Sequence, residues 1–246
     1  MNRDMRQLAI LLMIASSVVI SFSGLVVRLL DAGPLVMNFY RALFLMGAIV
    51  VLLVLRYRAA AIVRVIGVGW PGLMAGAMLA GAGITFLQSM THTTVANTLF
   101  VLGGIPFVTS GLAWIFLKEK PSRPTLVTMI IAFFGIVIMI GEGFTIGSAY
   151  GNVMALMTTF FFSIYAVIVR FNRQVDMLPA ILISTVLIMA MTGLTQRGVL
   201  PISKDDLWLC LLWGGVMSGF TSASFLVASR HSIAAAPTIV LVPALA

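Results

Sequence analysis

Charge is what this sequence has least of. Asp, Glu, Lys and Arg together make up 9% of 246 residues, where soluble domains carry about 25%. A well-solvated globular surface is therefore excluded. Cys210 is the single cysteine, so neither an internal disulfide nor a Cys-rich metal site can form. The two histidines, His92 and His231, have no Cys, Asp or Glu beside them at metal-ligand spacing. No carboxylate pair interrupts an apolar run, no Gly-rich loop ends in Gly-Lys-Ser/Thr, and no nucleophile elbow is present. The sequence therefore calls for no enzyme activity, cofactor or metal. Without a nucleotide site, any transport would be driven by a gradient or by the solute itself.

What is present is oil. Hydrophobic residues make up 61% of the chain, the mean hydropathy is +1.14, and apolar stretches near membrane-spanning length follow one another. The fold class is all-α and polytopic. The spans run over 8–29, 35–55, 67–89, 94–117, 125–141, 151–169, 178–195 and 207–228, with a partial ninth from 233 to 246. Arg3 and Arg6 precede the first run as in a signal peptide. It lacks a small-residue cleavage pattern and more spans follow, which favours an uncleaved first span. The net charge of +8 sits in the connections rather than in one patch, which argues against nucleic acid and leaves membrane lipids as partners.

With the amino terminus placed in the cytoplasm, one face collects Arg3, Arg6, Arg56, Arg58, Arg64, Lys118, Lys120, Arg123, Arg170, Arg173 and Arg230. The other face collects only Arg28, Arg197 and Lys204. The positive-inside rule favours this orientation.

A repeat is also legible. "TFLQSMTHTTVAN" (85–97) slides onto "SFLVASRHSIAAA" (224–236), superposing Phe86 on Phe225 and His92 on His231. The same shift carries Gly76 onto Gly215, and a nearly equal one carries "SGLVVR" ending at Arg28 onto "YAVIVR" ending at Arg170. The shift covers five spans, an odd number, so the second copy enters the membrane from the opposite face. Such inverted repeats build many secondary transporters. The expected division is a first five-helix repeat over 1–141, a Gly-rich connection over 142–150, and a second repeat over 151–246. The second stops partway through its fourth span, so a fragment of a ten-span protein is expected.

Arg41 lies within the second span, about 10 Å beyond the turn at Asp31–Pro34. A guanidinium in hydrocarbon is costly, and two placements relieve the cost. It can snorkel to the outer headgroups, with Asp31 or a helix end as partner. Alternatively it faces a polar cavity, binding an anionic group or holding a gate, with Asn38 on its helical face and Tyr40 at the cavity edge. Gln88, Thr85 and Gly81 form a stripe on the third span. Asn97 and Pro106, with Gly103-Gly104, mark the fourth as the best candidate for an interrupted helix, and Pro237 and Pro243 occupy analogous territory in the second repeat. Gly72, Gly76 and Ala80 are spaced by four, as are Gly215, Gly219 and Ala223, which suits close helix packing. Ser218, Thr221, Ser222 and Phe225 suit a cavity on the eighth span, and Tyr165 is the member of the Phe160–Tyr165 aromatic cluster with a polar end to place inside.

Several stretches carry a family resemblance: "VVISFSGLVVRL", "NFYRALF" with Arg41, "SMTHTTVANTLFVLGGIPFVTSGLAWIFLKEKPSRP" (89–124) and "GIVIMI". In these the chain resembles the drug/metabolite transporter superfamily, specifically its EamA-type members. The resemblance covers the whole chain, more loosely after residue 195. It implies ten spans, both termini cytoplasmic, a bacterial inner-membrane location, and a central cavity between spans three, four, eight and nine with one and six. Arg41, Pro106 and Glu119 fall on recurrent positions, and Glu119, Lys120 and Pro121 form a structural corner closing span four. The implied function is secondary transport, with export favoured, of small organic solutes such as amino acids, by a monomer or homodimer. The competing readings are a membrane binding or assembly module without transport, and an inactive fragment.

Overall fold

The computed structural model describes residues 3–118, 126–131, 134, 135, 138, 149–172, 178–198 and 200–231. Glu119, Pro121, Pro237, Pro243, the partial ninth span and all but the last two residues of the Gly-rich connection lie outside the described residues, as does most of the span expected at 125–141. The structure is an all-α bundle. Six of its helical segments are long and apolar enough to cross a membrane: Pro34–Tyr57, Gly69–His92, Val95–Leu117, Ala149–Phe171, Leu178–Thr195 and Lys204–Ser224.

The first expected span is two helices, α1 (Arg3–Ser21) and α2 (Ser23–Leu29), broken at Phe22. The Ser21-Phe22-Ser23-Gly24 sequence softens the helix there, and the Ser21 hydroxyl donates back to the Val18 carbonyl at 2.7 Å. Helix α3 (Pro34–Tyr57) starts with proline in its first turn after an extended Gly33, where the missing N–H costs nothing. A short α4 (Ala61–Ile66) leads to α5 (Gly69–His92), whose first residue, at φ +61°, needs glycine.

The fourth expected span divides at Gly103-Gly104 into α6 (Val95–Leu102) and α7 (Ile105–Leu117). The break is a tightened turn rather than an unwound one: Gly104 N–H donates to Val101 and Phe107 N–H to Gly104, both at 3.0 Å. Its carbonyls are met from α8 (Ala149–Phe171), where Thr159 donates to Val101 at 3.2 Å and Ser163 to Ile105 at 3.3 Å. Hydroxyls from a neighbouring helix allow such a break in hydrocarbon.

Helix α9 (Leu178–Thr195) follows, then α10 (Lys204–Cys210), a wide π-helical segment at Leu211–Met217, and α11 (Ser218–His231). Helix α5 packs along α8 and α9, α3 packs along α9 and the π segment, and α1 packs on α11.

Gly76 and Gly219 lie at close contacts between helices. A Cβ placed on Gly76 would stand 2.7 Å from Ile183 and 3.0 Å from the Ala180 carbonyl on α9, and one on Gly219 would stand 2.9 Å from Ala48 on α3. The Gly215 position is looser, 3.7 Å from Phe44. Large apolar side chains, among them Val51, Leu55, Trp70, Ile115, Phe116 and Leu194, cover the outside of the bundle, a surface suited to lipid tails.

Candidate functional site

Arg41 is buried, at 7% exposure. That excludes snorkelling, and neither Asp31 nor any other group forms an ion pair or hydrogen bond with its guanidinium among the described residues. The Nε atom is sealed off without a partner, and the guanidinium carbon lies 4.9 Å over the ring of Trp213. Trp213 is itself fully buried. A cation held over an indole face is attracted by the ring quadrupole, but this offsets only part of the cost of burying the charge.

Two glycines make room for this arrangement. A Cβ on Gly214 would overlap the Arg41 carbonyl oxygen, so α3 lies directly on the π segment. A Cβ on Gly83 of α5 would stand 3.2 Å from Arg41 Nη2. The π turn brings Trp213 and Gly214 together onto α3, and the Ser218 hydroxyl donates to the Trp213 carbonyl five residues back at 2.9 Å.

Arg41 lines a cavity of about 100 Å³ within the bundle. Its polar lining comes from Thr158 and Tyr165 on α8, Ser184 on α9, and Ser218, Thr221 and Ser222 on α11. Leu45, Leu79, Phe86, Phe162, Ile181 and Ile188 supply most of the apolar walls. Tyr165 packs on Phe162, with ring centroids 5.5 Å apart, and its hydroxyl meets no hydrogen-bond partner among the described residues. The structure thus gathers five of the residues singled out in the sequence, Arg41, Tyr165, Ser218, Thr221 and Ser222, around one space.

The others are placed elsewhere. Tyr40 does not edge the cavity in the described lining; about 100° round the helix from Arg41, its hydroxyl donates to the Leu200 carbonyl at 3.0 Å. Asn38 is fully buried, and neither amide atom meets a partner among the described residues. Gln88 is half-buried off the cavity near the end of α5, where its backbone carbonyl lies 2.8 Å from the His92 ring nitrogen. Asn97 belongs to a cluster at the α5–α6 junction, its amide 3.5 Å from Asn152 Oδ1, to which the Thr93 hydroxyl donates at 3.1 Å. Pro106 begins α7, which packs on α8 away from the cavity. Phe225 lies on α11, but its side chain is outside the described residues.

The cavity walls differ from the set that the resemblance implies. Among the described residues they come from the second, third, sixth, seventh and eighth spans, not the first or fourth. The first span is occupied against α11, and α6 and α7 against α8. Sequence reasoning missed Gly83, Trp213 and Gly214, and it missed the hydroxyls of Thr158 and Ser184. One signal was available: the shift that superposes Phe86 on Phe225 also pairs Gly83 with Ser222 and Leu79 with Ser218, so choosing the eighth-span face implied the matching third-span face.

A second hollow, of about 400 Å³, opens on the flank between α7 and α8 beside Val108, Val153, Leu156, Met157 and Phe160. Thr159 is the one polar side chain in its lining, and its hydroxyl is already engaged with backbone carbonyls.

Comparison with known proteins follows the same lines. The model of the family described as "EamA-like transporter family" matches residues 7–141. A solved structure, titled only "Crystal structure of protein", superposes with a TM-score of 0.62 over 96% of this chain and 86% of its own, at 18% identity. That likeness speaks to the fold alone. No curated protein matches the sequence.

Proposed function

The chain belongs to the EamA-like transporter family, and from that premise we propose that the Arg41 cavity is the solute site of an alternating-access transporter for small organic metabolites. Membership makes it a multi-pass membrane protein of the secondary-transporter type rather than an enzyme. The observation that carries the site assignment is Arg41 itself. A buried guanidinium without a carboxylate partner among the described residues, on a side chain that lines a cavity, is stabilised once a solute supplies the anion.

Alternating access gains support from helix packing that repeats when the two halves are exchanged. The exchange that carries Phe86 onto Phe225 turns Gly76 against Ile183 into Gly215 against Phe44, and both contacts are present. The packing of α5 on α8 has its counterpart in α11 on α1. This reciprocity favours an inverted repeat divided between residues 141 and 151, while the Lys and Arg distribution between alternate ends favours an amino terminus on the cytoplasmic side of a bacterial-type inner membrane. Each crossing is then available to open one face of the membrane.

The test is solute flux in liposomes containing the full chain, measured against a broad metabolite panel for wild type and Arg41→Ala. Loss of flux with retained folding is expected for the variant. Undiminished flux in Arg41→Ala would remove the cavity from the transport path.

A further inference from the structure

The hydroxyls around the cavity divide by hydrogen-bond role. Each serine or threonine hydroxyl has one proton to donate and two lone pairs to accept with. On the second-half helices the protons are already committed: Ser184 to Ile181 at 2.7 Å, Ser218 to Trp213 at 2.9 Å, Thr221 to Met217 at 2.9 Å and Ser222 to Ser218 at 2.8 Å. These four side chains therefore offer acceptors only. The unengaged donors in the lining are the Arg41 guanidinium and the Tyr165 hydroxyl. The positions that the repeat pairs with those four, Leu45, Leu79, Ala82 and Gly83, offer no polar side-chain atom. The cavity thus has one donor end and one acceptor side, and a complementary solute needs an acceptor group and a proton to give.

Charge narrows the class. Arg41 is the one charged residue in the described lining, and no Asp or Glu accompanies it. A monoanion brings the buried site to neutrality, whereas a zwitterion leaves one uncompensated positive charge in low dielectric. A cavity volume of about 100 Å³ lies well below the roughly 300–1,000 Å³ of pockets for drug-sized ligands, which favours a small solute.

We propose that the cavity takes a small hydroxy-acid monoanion, its carboxylate on Arg41 and Tyr165 and its hydroxyl proton on the serine–threonine side. This rests on the cavity being the solute site.

The test uses the full chain in liposomes and a matched three-carbon series. Lactate carries both groups, propionate lacks the donor, alanine adds the compensating positive charge, and lactamide lacks the anion. Binding is read by thermal stabilisation and by competition against labelled lactate. Lactate should bind best, with propionate at least about five-fold weaker, alanine at least about ten-fold weaker, and lactamide without effect. Ser222→Ala and Thr221→Val should each narrow the lactate-to-propionate ratio. Propionate equal to lactate overturns the donor assignment. Alanine equal to or better than lactate overturns the charge assignment while leaving a solute site at Arg41 intact. Binding of none of the four overturns the solute class. Failure of the wider reading looks different: solute flux that Arg41→Ala does not diminish.

Discussion

Gly214→Ala puts the contact between the π segment and α3 to a direct test. The added Cβ would overlap the Arg41 carbonyl oxygen and lie 3.0 and 3.1 Å from the Arg41 carbonyl carbon and Cα. All three atoms are backbone within a helix, so no rotamer change relieves the overlap, and the two segments must separate by about 1 Å. A gap of that size forfeits about a quarter to a half of each dispersion contact across the interface. The cost should match overpacking elsewhere, about 1–3 kcal/mol. For a chain of this length that is roughly 2–4 °C of melting temperature per kcal/mol. The same separation moves Arg41 away from Trp213, so flux should fall with stability. Gly47→Ala is the control, since nothing lies within 4 Å of a Cβ there. Melting in detergent of both variants beside wild type decides the matter. If Gly214→Ala melts with Gly47→Ala, within a degree of wild type, the helices do not approach as described.

Gly83→Ala should separate site from scaffold: its Cβ meets Arg41 Nη2 at 3.2 Å and Ile188 Cδ1 at 3.1 Å, both ends of side chains that can yield. Melting should change little while apparent solute affinity drops several-fold, as measured by competition binding. Asp206→Ala should cost about 1–2 kcal/mol, because its carboxylate accepts from the Asp31 backbone N–H at 3.2 Å. Asp31→Ala leaves that donor in place and should be near neutral in the same melts. Thr85→Val removes the 2.8 Å hydroxyl contact between Thr85 and Thr158. Bonds of this kind in membranes are worth about 0.6 kcal/mol, so a shift much above about 4 °C would show that the contact anchors more than one bond.

The parts of this molecule that the sequence made legible are those encoded by composition along one helix. Apolar length marks a candidate span, and small residues at every fourth position mark a candidate close contact because they let backbones approach. Gly76 and Gly219 could be placed that way without knowing which helix would meet them. The identity of the partner is a different kind of information. Whether Arg41 snorkels or faces inward depends on the width of the turn at Leu211–Met217, six spans further along the chain, which carries Trp213 beneath the guanidinium. No local pattern announces a π turn, and Gly214-Gly215 reads equally well as packing. Tyr40 shows the limit from the other side: adjacent to Arg41 in sequence, it bonds to Leu200 outside the cavity. On the proposed repeat part of the gap closes, because an exchange of halves converts one contact into another. It relates Ser184 to Leu45 and Ser222 to Gly83, and so locates both cavity walls from either one. What it does not transmit is chemistry: the related walls share a shape, yet one side carries hydroxyls and the other none. The solute preference proposed for this cavity therefore rests on positions where the two proposed halves differ, and substitutions that make the walls alike, such as Ser222→Gly, should weaken discrimination between solutes more than they weaken the fold.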